Sequence, residues 1–135
     1  MCDTGLALFL MGFETWEAVL RHPIAGAIWE THVVMEVLKH YRSAGKRVPL
    51  WFWRTVHGAE VDLLVERGGK FIAIECKFSE NPDQADLKGI LAVKKFYGEA
   101  LFDKGLVACR TAHPYPLAED VTAVSGSLID QELGS

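Results

Sequence analysis

The stretch GAEVDLLVERGGKFIAIECKF, residues 58–78, decides the fold of this chain. Two runs rich in Val, Ile and Phe flank the pair Gly68-Gly69, which predicts a β-hairpin with a two-residue turn. The turn fixes the register of the two strands and places Asp62 directly opposite Glu75. Two carboxylates about 5 Å apart repel by roughly 3 kcal/mol at an effective dielectric near 20. The hairpin therefore predicts a cation or a shared proton between these two acids.

The same register assigns the remaining side chains of the hairpin to faces and partners. Alternation predicts that Val61, Leu63 and Val65 share one apolar face of the sheet. Glu60 then lies opposite Lys77, and we expect these two residues to form an ion pair. The predicted cross-strand pairs are Arg67 with Lys70, Val65 with Ile72, Leu63 with Ile74, Val61 with Cys76, and Glu60 with Lys77.

Working outward from the hairpin, the pattern predicts a mixed α/β fold with the order helix, three strands, helix, strand. The predicted elements are a helix over 23–45, a strand over 48–55, the hairpin strands, a helix over 83–97, and a strand over 105–110. A Pro-containing turn, an edge strand from Val121 and a chain that frays after Leu128 complete the C-terminal part. Apolar residues 5–13 predict a short N-terminal helix, which Asp3 or Thr4 could cap, and residues 14–21 predict a second.

The two long helices should bury apolar stripes against the sheet. In the first helix Ile24, Ile28, Met35 and Leu38 form one apolar stripe, and Trp29 and Val33 extend apolar surface to the other side, so we expect this helix to be sandwiched. In the second helix the predicted core positions are Leu87, Ile90, Leu91 and Phe96. Trp51, Phe52 and Trp53 are interpreted as core and hairpin packing in preference to a base-stacking platform. Glu30 stands apart, because a carboxylate among Val33, Val34 and Val37 needs a partner or a shifted pKa.

The composition limits the class of protein. With 135 residues, of which 50% are hydrophobic, the chain suits one compact domain. The net charge of −4 opposes a domain that binds nucleic acid through positive charge alone, but a site for divalent metal brings its own acidic excess. No apolar run is long enough to cross a membrane. Three cysteines without a CxxC pair predict neither zinc nor disulfides, and they favour the cytoplasm.

One set of residues carries the predicted chemistry: Glu30 on a helix, Asp62 on a strand, and Glu75-Cys76-Lys77 on the next strand. This acid, acid, ExK pattern resembles the PD-(D/E)XK nuclease superfamily, whose restriction-endonuclease-like core has the order α-β-β-β-α-β. The resemblance implies that Glu30, Asp62 and Glu75 hold Mg²⁺ or Mn²⁺ and that Lys77 positions and activates the attacking water. The backbone carbonyl of Cys76 could supply a further oxygen ligand.

A second resemblance extends over nearly the whole chain. Five segments look like an uncharacterised domain found at the C-terminus of bacterial and archaeal AAA-type ATPases. They are DTGLA (3–7), GAIWE (26–30), WFWRT (51–55), GAEVD (58–62) and AIECK (73–77). The resemblance implies a single nuclease-like domain over residues 1–135, with 1–22 as a helical lead-in and 23–135 as the core. Because the ATPase part is missing, the chain is interpreted as a C-terminal fragment of a longer ATPase.

Three functions follow from these patterns. The first is Mg-dependent phosphodiester hydrolysis of nucleic acid, with DNA expected; Glu60 would be the partner of Lys77, and Arg54 a phosphate contact. The second is a catalytically silent module that docks the ATPase to nucleic acid or to a partner protein. The third is homo-oligomerisation through the apolar N-terminal helix.

Overall fold

A computed structural model of the chain describes residues 4–134 and shows a mixed α/β fold built on one six-stranded sheet. In this part of the chain the helices are α1 (Thr4–Leu10), α2 (Trp16–Arg21), α3 (Ala25–Ser43), α4 (Lys88–Tyr97) and α5 (Asp130–Leu133). The strands are β1 (Leu50–Arg54), β2 (Glu60–Arg67), β3 (Lys70–Cys76), β4 (Phe102–Cys109), β5 (Tyr115–Ala118) and β6 (Val121–Ser125). Two single 3₁₀ turns cover Gln84–Leu87 and Gly126–Leu128.

The strand order across the sheet is β1-β2-β3-β4-β6-β5. The first three strands form an antiparallel meander, whereas β3 with β4 and β4 with β6 pair in parallel. The mixed α/β class is therefore confirmed, and the predicted order of helix, three strands, helix, strand is present as α3-β1-β2-β3-α4-β4. No helix within residues 4–134 is both long enough and apolar enough to span a bilayer.

Each face of the sheet packs against one long helix. On one face Val33, Val37 and Tyr41 of α3 pack with Leu63 and other inward side chains of the strands. On the opposite face α4 packs with a second cluster. Its buried members are Val61, Leu64, Ala73, Leu87, Ile90, Val93, Phe102, Val107 and Val121. The sheet is thus buried on both sides, as the parallel pairing of its centre requires.

The sheet-facing side of α3 is not the predicted stripe of four residues but the opposite side, where Val33 and Trp29 were expected. Its buried residues are Ala25, Val33, Val37 and Tyr41, with Trp29 packed against the same cluster. The residues predicted to form the stripe, Ile24, Ile28, Met35 and Leu38, are only partly buried. The face that meets the sheet therefore combines Ala and Val side chains with the aromatic rings of Trp29 and Tyr41. Several apolar residues of α3 lie off this face, so hydrophobicity alone did not identify it.

In α4 the predicted core is partly right. Leu87 and Ile90 are buried, but Leu91 and Phe96 are 47% and 68% exposed, and Val93 is buried instead. Leu87, Ile90 and Val93 are spaced three residues apart, and each such step turns about 60° around the helix, so the next position, Phe96, has left the side that meets the sheet. Leu91 lies about 100° from Ile90 around the helix, on the exposed flank.

The C-terminal part also differs from the prediction. β6, which begins at the predicted Val121, lies inside the sheet, and the edge strand is β5, where the sequence predicted only a turn. Pro116 is tolerated in β5 because an edge strand need not donate every backbone N–H. The chain does not fray after Leu128, because Ile129 and Leu133 are fully buried. These two side chains close the core on the α3 side.

At the N-terminus, α1 and α2 agree with the predicted short helices, and Thr15 caps α2 by accepting a hydrogen bond from the backbone N–H of Ala18 at 3.2 Å. Asp3, one of the two expected caps of α1, lies outside the described residues. Gly45, the predicted end of the long helix, follows α3 with φ of +65°, a conformation that glycine adopts without strain.

The hairpin has the predicted register at its turn but not at its open end. Arg67 with Lys70, Val65 with Ile72 and Leu63 with Ile74 are paired as expected. Between the pairs Trp51–Leu64 and Trp53–Val61, however, β1 advances by two residues and β2 by three. One extra residue of β2 therefore forms a β-bulge around Asp62.

The bulge reverses the face to which Val61 belongs. Val61 packs with Leu64 in the cluster beneath α4, whereas Cys76 packs against the cluster on the α3 side. The predicted contact between Val61 and Cys76, and the shared face of Val61 with Leu63, are therefore wrong.

Candidate functional site

The bulge in β2 sets the position of Asp62. The regular ladder between β2 and β3 ends at Leu63 and Ile74, so Asp62 and Glu75 are not a ladder pair as predicted. Instead, Oδ2 of Asp62 accepts a hydrogen bond from the backbone N–H of Cys76 at 2.7 Å. The bulge thus turns the Asp62 carboxylate towards the end of β3, beside the ExK segment.

Lys77 directly follows β3 and lies between two carboxylates. Its Nζ is 3.2 Å from Oε1 of Glu75 and 3.9 Å from Oδ1 of Asp86. The predicted pair of Lys77 with Glu60 is wrong. Glu60 lies instead beside its cross-strand neighbour Arg54, with 3.5 Å between Glu60 Oε2 and Arg54 Nε. Arg54 is therefore partly neutralised by an exposed ion pair, a kind of contact that contributes little to stability.

Glu30 reaches the same region from α3. Partial burial raises the pKa of Glu30 above its ordinary value, and the negative charges of Asp62 and Glu60 raise it further. The fold thus places the four acids that the sequence singled out close enough to interact electrostatically. They are Glu30, Glu60, Asp62 and Glu75.

Glu75 is the most perturbed carboxylate of the site. Burial and, next, the charge of Asp62 raise the pKa of Glu75 to about 7, although Lys77 acts in the opposite direction. Its Oε2 atom is buried and has no hydrogen-bond partner within residues 4–134. Burial likewise raises the pKa of Asp62, and this outweighs the hydrogen bond from Cys76 and the charge of Lys77. The carboxylates of the site therefore carry more negative charge than the single cation Lys77 can neutralise.

The two remaining members of the ExK segment have distinct protonation states. Partial burial opposes the charged form of Lys77, but Glu75 and Asp86 outweigh it, so the pKa of Lys77 lies above its ordinary value. Lys77 is therefore a cation at neutral pH and cannot act as a base. Burial, followed by the charges of Asp62, Glu30 and Glu75, raises the pKa of the Cys76 thiol. That thiol stays neutral, so only the backbone carbonyl of Cys76 is a suitable ligand for a hard cation.

A cleft of about 240 Å³ opens beside Glu75 and Lys77. Glu60, Asp86, Lys88 and Gly89 also line it. Asp62 and Glu30 lie beyond this lining, and no three His, Cys, Asp or Glu side chains within the described chain are arranged to hold a metal ion. The donor types nevertheless fit a hard divalent cation, because carboxylate and carbonyl oxygens are available and one buried carboxylate oxygen lacks a partner.

Sequence reasoning missed Asp86, Lys88 and Gly89. Asp86 forms a reciprocal capping box with Asp83, and the spacing of these two acids was the available signal. Gly89 has a steric role, because a Cβ at this position would overlap the backbone carbonyl oxygen of Glu60. The glycine thus allows the first turn of α4 to lie directly against β2, and Gly89 and Glu60 both line the cleft at this contact.

Comparison with known proteins adds family information. The family model of a domain of unknown function, DUF4143, matches residues 25–129 of the chain. Uncharacterized protein Mb2031c of Mycobacterium bovis and uncharacterized protein Rv2008c of Mycobacterium tuberculosis are each 31% identical to the chain over 131 residues. The match covers 94% of this chain but only 27% of each relative, so the chain spans about a quarter of their length. No solved structure matches the chain.

Proposed function

The chain belongs to the DUF4143 family of domains of unknown function, and we propose that it hydrolyses phosphodiester bonds of nucleic acid, with DNA as the expected substrate, using a divalent metal ion. The observation that carries this proposal is the state of Glu75. Its carboxylate is largely buried, one oxygen contacts Lys77, and the other has no partner among the described residues. A group in this state is suited to accept a cation.

The burial of the Glu75 carboxylate has a free-energy cost. An ionised carboxylate that leaves water without full pairing is costly, and the group responds by raising its pKa. Glu75 shows this response, with a pKa of about 7. A bound Mg²⁺ or Mn²⁺ would remove the cost, because these ions prefer carboxylate oxygens. Asp62, Glu30 and the Cys76 carbonyl are the further oxygen donors of the proposed site.

The residues of the chain have separable roles in this reaction. When bound, a divalent ion polarises a phosphate and makes a bound water more acidic. Lys77, held as a cation by Glu75 and Asp86, orients the attacking water and offsets the negative charge that develops around phosphorus. Asp62 is oriented by the Cys76 amide and supplies a second carboxylate. Glu30, whose charge interacts with that of Asp62, would supply an oxygen from α3 directly or through a bound water.

The finer fold assignment belongs to the same proposal. The order α3-β1-β2-β3-α4-β4 and the placement of the two acids on β2 and β3 support a restriction-endonuclease-like core of the PD-(D/E)XK type. The relatives are several times longer than this chain, and together with the resemblance described above this supports a role as the C-terminal domain of an AAA-type ATPase.

A second function has one observation in its favour. The described part of the chain holds no ready group of three metal-ligating side chains. This favours a catalytically silent module that uses the same surface to bind nucleic acid or a partner protein.

Cleavage assays separate the two functions. Supercoiled, single-stranded and branched DNA should be cut by the wild type in the presence of Mg²⁺ or Mn²⁺. The substitutions Asp62→Asn and Lys77→Met should each reduce the rate by about 100-fold or more. Glu14→Gln, at an exposed residue outside the site, is the control and should cut at the wild-type rate.

Two outcomes would contradict the nuclease proposal. Activity that survives both substitutions would belong to a contaminant. Binding of DNA without any metal-dependent cleavage by the wild type would favour the silent module.

A further inference from the structure

Five aromatic side chains form a continuous row on the α4 side of the sheet, and we call this row the aromatic strip. Its members are Trp51, Trp53, Phe71, Phe96 and Tyr97. Successive ring centroids are 6.5 Å apart for Trp51 and Phe71, 4.7 Å for Phe71 and Tyr97, 5.0 Å for Tyr97 and Phe96, and 5.9 Å for Phe96 and Trp53. The row joins β1 and β3 to the last turn of α4.

The strip lies open because β1 is an edge strand of the sheet. Trp51 is 46% exposed and Phe96 is 68% exposed. The interpretation of the β1 aromatic residues as core packing is therefore wrong for Trp51 and for Phe52, which is 76% exposed. A groove of about 230 Å³ runs along the strip between Trp51 and Tyr97, and Phe52, Leu64 and the acidic residue Glu66 also line it. Large aromatic side chains exposed together in this way indicate a binding surface.

The strip leads into the candidate active site along two elements. On β1, Trp53 is followed by Arg54, which contacts Glu60 at the cleft. On α4, Lys88 lines the cleft, and Phe96 lies eight residues further along the same helix. At a rise of 1.5 Å per residue, this separation is about 12 Å along the helix axis. A ligand on the strip can therefore continue directly into the cleft.

Positive charge accompanies the strip along the helix. Lys88 and Lys95 are both exposed and form no salt bridge within residues 4–134. Lys95 directly precedes Phe96, and Lys88 is at the cleft. A surface that combines exposed aromatic side chains with lysines outside any salt bridge matches a polyanion with flat apolar groups, which is the chemistry of a nucleic acid with unpaired bases.

We infer that the aromatic strip stacks the unpaired bases of a single-stranded nucleic acid, whose backbone passes Lys95 and Lys88 into the cleft at Glu75 and Lys77. The inference rests on the proposed function and specifies its substrate as single-stranded. Bases within a duplex are already stacked on one another and do not present their faces to the rings. Every base has such a face, so the strip should bind with little sequence preference.

Binding can be tested without hydrolysis. The probe is a fluorescein-labelled oligothymidylate, titrated with the full chain in EDTA at low ionic strength and followed by fluorescence anisotropy. Phe96→Ala and Trp51→Ala should each weaken binding about tenfold, the factor expected for one lost base stack. The matched control is Phe9→Ala, because Phe9 on α1 is 72% exposed, as open as Phe96, and lies on a different element. It should bind like the wild type.

Two further probes distinguish base stacking from other ways of binding to the strip. An abasic oligonucleotide of the same length should bind about tenfold more weakly than the oligothymidylate, and a duplex should compete poorly. The inference is overturned if Phe96→Ala and Trp51→Ala bind as the wild type does, if Phe9→Ala loses as much affinity, or if the abasic probe binds equally well. It is also overturned if the strip proves to hold a second copy of the chain, seen as a wild-type dimer that Phe96→Ala dissociates.

The inference and the proposed function can fail separately. Stacking of single strands by a chain that never cleaves DNA would retain the strip and refute the nuclease. Metal-dependent cleavage by a chain without affinity for single strands would support the nuclease and refute the role of the aromatic strip.

Discussion

The ammonium group of Lys77 lies 3.2 Å from Oε1 of Glu75, yet the second oxygen of that carboxylate, Oε2, is buried without a hydrogen-bond partner in the described chain. Lys77 therefore pairs with only one of the two oxygens of the Glu75 carboxylate. Burial and the charge of Asp62 set the pKa of Glu75 at about 7, so its charge changes in the physiological range. This arrangement makes the charge of the site depend on pH, and under the proposed function an added cation would stabilise that charge.

The first prediction concerns stability against pH in the absence of metal. Because the pKa of Glu75 is higher in the folded chain than in the unfolded chain, the folded state binds more protons between about pH 4.5 and pH 7. The free energy of unfolding should therefore fall as the pH rises through this window. The contribution of Glu75 is about 2 kcal/mol, allowing for its residual exposure.

Urea denaturation in EDTA at about pH 5 and about pH 8 measures this effect. Glu75→Gln should reduce the dependence by the contribution of Glu75, leaving that of Asp62 and Glu30, and should be more stable than the wild type at the higher pH. A wild type that gains stability between these two pH values, or a Glu75→Gln variant with an unchanged slope, would contradict the assigned state of Glu75.

The second prediction concerns the contact between α4 and β2. Gly89→Ala should destabilise the chain by about 3 kcal/mol, because the new methyl group overlaps the carbonyl oxygen of Glu60. Gly26→Ala is the matched control in α3, where the added Cβ meets nothing within 4 Å. It should be neutral or stabilising by up to about 1 kcal/mol. Thermal unfolding of both variants tests the pair, and equal effects would show that α4 does not lie against β2.

The third prediction concerns the charge of Lys77. Glu75 is the largest source of its raised pKa and Asp86 contributes less. The pKa of Lys77, followed by the ¹³Cε chemical shift, should therefore be highest in the wild type, lower in Asp86→Asn, and lowest in Glu75→Gln. Asn at position 86 retains an oxygen that can accept from the Asp83 N–H, so the capping interaction is kept. An unchanged pKa in both variants would mean that Lys77 lies away from these acids.

The fourth prediction concerns the hydrogen bond that attaches α3 to the sheet. The indole Nε1 of Trp29 donates to the carbonyl oxygen of Ala108 at 2.9 Å, which ties the helix next to Glu30 to β4. Trp29→Phe removes this bond and should cost about 1–2 kcal/mol in the free energy of unfolding. Trp16→Phe, at a tryptophan that is 56% exposed, is the control and should cost less than about 0.5 kcal/mol. A comparable loss in both variants would refute the role of Trp29.

The sequence predicted those parts of the site that depend on local rules. The Gly68-Gly69 turn set the register near the hairpin loop, and that register is correct as far as Leu63 and Ile74. The bulge at Asp62 was not predictable, because it arises where β2 pairs with β1 and β3 at once, and alternation in one strand carries no information about a neighbour's register. The hydrogen bond from Cys76 to Asp62 depends on that bulge and was missed with it.

Other misses have tertiary causes. Lys77 contacts Glu75 and, more distantly, Asp86 in place of the expected Glu60. Asp86 is nine positions further along the chain, and only the fold of the intervening loop brings it to Lys77. In α3, apolar residues surround much of the helix, so the stripe that meets the sheet was ambiguous from hydrophobicity alone. β5 was predicted as a turn because of Pro116, a residue that an edge strand accommodates.

The central claim is that Glu75 and its neighbours hold a divalent cation, and titration calorimetry with Mn²⁺ tests it most directly. The wild type should bind Mn²⁺ about tenfold more tightly at about pH 8 than at about pH 6, because the ion competes with a proton on a group of pKa about 7. Glu75→Gln should lose this binding, and the exposed control Glu14→Gln should retain it. Absence of binding by the wild type, equal binding by Glu75→Gln, or tighter binding at the lower pH would contradict the claim.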